Sequence, residues 1–140
     1  MANPRFLSAL LLLCLAAPAA PAPTKGGAQS ERKAILAALR VPVQKELKKS
    51  VVFKVDHLKT RGGWAFMTGV PLQPGGKKMD YRGTPYQAAR DEGVFDDWVC
   101  ALLRKKNGKW TVTRYEIGAT DVVWSGWDRR YKAPSDIFPR

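Results

Sequence analysis

The stretch CALLRKKNGKWTVTRYEIG, from Cys100 to Gly118, constrains the fold more than any other part of the chain. Asn107-Gly108 suits a two-residue hairpin turn, which needs positive φ at both positions, so the flanking segments must be antiparallel neighbours. Counting outward pairs Lys105 with Trp110, Leu103 with Val112, Leu102 with Thr113, Cys100 with Tyr115 and Trp98 with Ile117. Near the turn the apolar residues fall on one side of the ribbon, and farther out they fall on the other. Either a bulge near Thr113 switches the faces, or both faces are covered. Both outcomes require a twisted or curled sheet.

A second hairpin is expected in SVVFKVDHLKTRGGWAFMTGV, with Gly62-Gly63 as the turn. Its register pairs Arg61 with Trp64, Lys59 with Phe66, His57 with Thr68 and Val55 with Val70. One side then carries Phe53, Val55, Trp64, Phe66 and Val70 together with His57, and the other carries Leu58, Ala65 and Met67.

Helical spacing frames these hairpins. Ser30 is placed to cap SERKAILAALR, which sets Ile35, Leu36 and Leu39 on one side, and Pro42 is expected to break this helix and start a second piece through Leu47. Between the hairpins lies a long connection, from Pro71 to Asp97. It opens with Pro74-Gly75-Gly76 and contains TPYQAARDEG, which reads as a short helix capped by Thr84 and ended at Gly93. After the second hairpin, DVVWSGWDRRYKAP spaces Trp124, Trp127 and Tyr131 along one side of a helix capped by Thr120 or Asp121. That stripe reads as the cover of a core, with Asp128, Arg129 and Arg130 outside. The fold class expected is α+β: a curved four-stranded antiparallel sheet of two hairpins on an N-terminal helix, with an aromatic C-terminal helix.

The amino terminus, MANPRFLSALLLLCLAAPAAPAP, has one positive charge, an apolar run and then small residues, the layout of a secretory signal. Residues 1–19 are therefore read as a cleavable signal, 20–29 as a flexible leader and 30–140 as a single domain. Leu13 stands before Cys14 where lipid attachment calls for a small residue, so Cys14 is read as part of the apolar run. The expected location is secreted or periplasmic, with no transmembrane span in the mature form. The mature form then has a single cysteine, Cys100, and cannot form an internal disulfide.

The full chain has 24 Lys and Arg against 12 Asp and Glu, and loss of Arg5 leaves 23 against 12, a net charge of +11. Such a balance favours anionic partners. The expected location leaves intracellular nucleic acid out and points to an anionic envelope polymer or a partner protein.

The order of elements, the GGWAF strand start and the ALLRKKNGKWTVTRYEIG hairpin resemble the cystatin-like and nuclear-transport-factor-like folds, including small secreted bacterial members of unassigned function. The resemblance covers roughly residues 30–118. It implies a sheet wrapped on the first helix, with a conical pocket, and it implies nothing about chemistry.

Candidate chemistry is sparse. His57 is the one histidine, and in enzymes that resemble this fold a pocket histidine moves protons with a carboxylate partner, here Asp91, Asp96, Asp97 or Asp121. A small pocket enzyme using His57 as acid and base is thus the alternative to a binding domain. The acidic residues Asp91, Glu92, Asp96 and Asp97 lack calcium-loop spacing and are expected to cap the short helix or to pair with Arg90 and Arg104. No metal or cofactor is called for. Binding candidates are Tyr81, Arg82, Tyr86 and Arg90 in the long connection, with Arg129 and Arg130 near the C-terminus, because cations interleaved with aromatic rings hold anionic polymers. Trp98, Cys100, Tyr115, Trp124, Trp127 and Tyr131 are assigned to the core, with Cys100 inert.

Overall fold

The structure is a computed structural model that describes residues 24–140. The signal, the Cys14 reading and the first part of the leader lie outside the described residues. The element order is α1 (Lys25–Leu47), β1 (Val52–Arg61), β2 (Trp64–Leu72), α2 (Gln87–Asp91), β3 (Val99–Lys106), β4 (Lys109–Ile117) and α3 (Trp127–Tyr131), followed by a 3-10 turn, Ser135–Ile137. The strands form one antiparallel sheet in the order β1-β2-β3-β4, so the fold is α+β as expected.

Helix α1 differs from the expected two pieces in being continuous. It starts at Lys25, with Thr24 as cap accepting from the Gly27 amide, so the second half of the expected leader is helical and Ser30 is internal. Pro42 also lies inside it. A proline in a helix interior costs about 3 kcal/mol. Leu39, Val43 and Leu47 are nevertheless fully buried on one side, and each such burial contributes about 1.5–3 kcal/mol. Packing therefore outweighs the missing amide.

Both turns form where the sequence places them, with positive φ at Gly62, Gly63, Asn107 and Gly108. Two bulges then decide which residues face where. The expected pairs Arg61–Trp64, Lys59–Phe66 and His57–Thr68 are present, but the register slips between Val55 and His57, and Val55 pairs with Gly69 instead of Val70. Asp56 is the extra residue. A slip of one residue reverses the faces beyond it, so Phe53 and Val55 pack with the α1 core while His57 faces the other way. Gly69 admits this bulge, because a Cβ there would collide with the Lys54 carbonyl.

In the other hairpin Leu103 pairs with Val112 and Leu102 with Arg114, which leaves Thr113 bulged. Cys100 consequently pairs with Glu116, Ala101 with Tyr115 and Val99 with Ile117, correcting the outer pairs of the straight count.

Both faces of the sheet are covered as well. On one, α1 and the long connection bury Ala65, Met67, Ala101, Leu103 and Trp110 with Met79 and Tyr81. On the other, the C-terminal segment covers Trp64, Phe66, Cys100 and Leu102 with Trp127, Ala133 and Ile137, flanked by Trp98, Trp124, Tyr131 and Phe138. The expected long helix there is shortened. Gly126, at φ 80°, interrupts it, and α3 begins only at Trp127. The chain then turns back so that the Ile137 carbonyl accepts from His57 Nε2 at 2.7 Å and Asp136 pairs with Arg61 at 2.6 Å.

Candidate anion-binding cleft

The C-terminal cover stops short of the second hairpin's tip, and the uncovered sheet there is basic. Trp64 opens β2 and lies directly across from Arg104 of β3. The Arg104 guanidinium sits over the Trp64 ring, 4.9 Å from its centroid. Arg104 in turn pairs with Thr111 of β4, whose hydroxyl donates to the Arg104 carbonyl at 3.1 Å. Strand alternation puts Lys106 on the same face as Arg104.

The opposite wall comes from the end of α3. Tyr131 packs edge-on against buried Trp127 with ring centroids 6.3 Å apart, and the Arg130 guanidinium lies 5.8 Å from the Tyr131 centroid. Lys132 ends the helix in a left-handed conformation, at φ 57°. Arg104, Lys106, Arg130 and Lys132, with Trp64, Tyr131, Thr111 and Thr113, line a cleft of about 460 Å³.

Among the described residues no acidic side chain lines this cleft. None of its four cations joins an ion pair among the described residues, whereas Lys49, Lys59, Arg61, Arg82, Lys105 and Arg114 each do. Uncompensated charges of one sign in a concave site focus the potential and raise the local concentration of the opposite charge. Guanidinium planes resting on rings are also already oriented, so less freedom is lost when they fork an oxyanion. The arrangement can hold anionic groups. Among the described residues its lining has no His, Cys, Asp or Glu.

The other expected site residues fall elsewhere. Tyr81 is buried, and its hydroxyl donates to Asp97 at 2.7 Å; burial and that carboxylate hold the phenol well above its ordinary range. Arg82 is exposed but forks Asp80, whose carboxyl is held well below the usual carboxylate range by those hydrogen bonds. Arg90 lies over the Tyr81 and Phe95 rings at 4.9 and 5.8 Å and Arg104 over Trp64, so neither pairs with the acidic cluster as expected. Tyr86 donates to Glu46. Arg129 is exposed with its guanidinium near Gly126, and of the six binding candidates only Arg130 lines the cleft.

Among the described residues His57 does not meet a carboxylate. The bulge at Asp56 turns it toward Phe66, with ring centroids 6.1 Å apart, and its Nε2 holds the Ile137 carbonyl. It ties the C-terminal cover to β1. Cys100 is fully buried, and burial pushes its thiol up to about 12.

Sequence reasoning missed Arg104, Lys106, Lys132 and Trp64 as cleft residues. A signal existed in RKKNGKW, because alternation from the Asn-Gly turn already sets Arg104 and Lys106 on one face. No family model, curated protein or solved structure matches the chain.

Proposed function

We propose that the chain is a non-catalytic binding domain of the secreted or periplasmic space, which holds an anionic envelope component in the cleft between the second hairpin and α3. The observation that carries this reading is one cleft lined by four cations that are unpaired among the described residues, two of them set over aromatic rings, with no acidic residue in the lining. A net charge of +11 after removal of Arg5 adds long-range attraction for such a target. The location rests on the three-part amino terminus, and a kinship with cystatin-like or nuclear-transport-factor-like folds rests on the meandering sheet laid over a long helix.

The test is binding of sodium polyphosphate as a model polyanion at low and high salt, to the full chain and to Arg104→Ala with Arg130→Ala. Charge-driven binding weakens steeply as salt rises, and the double variant is expected to bind roughly tenfold or more weakly, since a charged contact contributes about 1.5–3 kcal/mol. Binding that ignores both salt and the two substitutions would overturn the reading.

A further inference from the structure

A second cavity, of about 420 Å³, opens on the helix side of β4. Glu46 of α1, Tyr86 just before α2 and Tyr115 of β4 form one polar wall, Thr113, Arg114 and Glu116 complete the polar lining, and Pro42 and Val112 are its apolar members. Both phenols donate to Glu46, one to each carboxylate oxygen. A hydroxyl has a single proton to give, so toward any other group these two can only accept. A carboxylate has about four lone-pair sites, and two of them are taken here.

The three groups therefore make an acceptor-only set. Burial, together with the bond to Glu46, holds the Tyr86 phenol well above its ordinary range and pushes Tyr115 up to about 12, so both keep their protons at neutral pH. Among the described residues no Lys or Arg is paired with Glu46, in a chain with twice as many basic as acidic residues. Arg114 and Glu116 in the same lining pair with one another through one hydrogen bond, so the lining as a whole carries two carboxylates against one guanidinium.

We propose that this cavity binds a primary ammonium group carried on an alkyl chain. An ammonium has three donors and no acceptor, which matches the free lone pairs of Glu46, Tyr86 and Tyr115. The tyrosine rings add π faces that attract a cation, and the alkyl arm has Pro42 and Val112 to lie against. The volume is in the range of small-ligand sites. No group of three His, Cys, Asp or Glu able to hold a metal ion occurs among the described residues. The site is independent of the basic cleft, with which it shares only Val112 and Thr113.

Isothermal titration of the full chain with n-butylammonium chloride tests the proposal, with 1-butanol and potassium chloride of equal ionic strength as controls. One saturable site per chain is expected, with no response to either control. Glu46→Gln should weaken it roughly tenfold or more. If Glu46→Gln does not fold, Glu46→Asp, which keeps the charge and draws it back from the cavity, decides: weakened binding supports the site, and unchanged binding overturns it. Tighter binding of Nα-acetyl-lysine amide than of butylammonium assigns the ligand to a peptide side chain, and the reverse assigns it to a free amine. Absence of saturable heat, displacement by potassium, or wild-type affinity in Glu46→Gln would each show that the Glu46 cluster is only a structural tie.

Discussion

The two faces of the sheet are covered by different means. On one face a single long helix lays Ile35, Leu39, Val43 and Leu47 along Ala65, Met67, Ala101 and Leu103, with apolar positions recurring every four residues. On the other, a segment with little regular structure uses a few large rings, and Phe66 alone has Trp124, Trp127 and Phe138 within 4.5–6.3 Å of its centroid. A helix covers a strip along its whole length, whereas a folded-back segment covers only where its anchors land. The uncovered remainder beside Arg104 is the basic cleft, so the site is a consequence of the less complete cover.

The comparison is broken most directly by removing an anchor from each face. Leu39→Ala should cost about 2–5 kcal/mol and Phe66→Ala or Trp127→Ala about 3–5 kcal/mol, the usual range for buried truncations, read by denaturant unfolding. If the ring truncations melt like wild type while Leu39→Ala does not, the C-terminal segment is not part of the cooperative core.

Alkaline titration separates the faces with smaller effects. Cys100 reports on the face under the C-terminal cover and Tyr115 on the α1 face, and burial pushes both up to about 12, from 9.0 and 10.0 respectively. Each raised value means the folded state favours the protonated group. That contribution is complete below the unfolded value and is lost as pH rises toward 12. Stability should therefore begin to fall near pH 9, and Cys100→Ala should delay the fall to about pH 10, where the tyrosines take over. Native Cys100 should also alkylate slowly and become reactive on unfolding.

What the sequence revealed follows how local each cause is. The Asn107-Gly108 turn is local chemistry, and the reversal of apolar sides beyond it already pointed to Thr113. The bulge at Asp56 has no such signature, because what permits it is the missing Cβ of Gly69 on the neighbouring strand. One unread residue moved His57 from an imagined pocket to the Ile137 carbonyl. The candidate sites divide in the same way. Arg104 and Lys106 share a face by alternation alone, but their meeting with Arg130 and Lys132 depends on Gly126 stopping the aromatic helix and on the chain folding back. Glu46 gave no signal, since α1 meets Tyr86 and Tyr115 only through tertiary packing.

The smallest stability effect expected is that of Arg129→Ala with Arg130→Ala. Both residues are exposed and neither forms an ion pair among the described residues, so unfolding free energy should change by no more than about 0.5 kcal/mol. A larger loss would mean that Arg130 on Tyr131 helps to hold the C-terminal cover.

The five tryptophan indoles are placed to test the central claim, because Trp64 lines the basic cleft, Trp110 lies in the α1 core, and Trp98, Trp124 and Trp127 pack in the cluster of the C-terminal cover. Titration with polyphosphate, followed by the indole N–H resonances, should shift Trp64 in a saturable and salt-sensitive way while Trp110 stays fixed. A fixed Trp64 beside shifts at Trp110, or equal small shifts at all five, would contradict a binding site at this cleft.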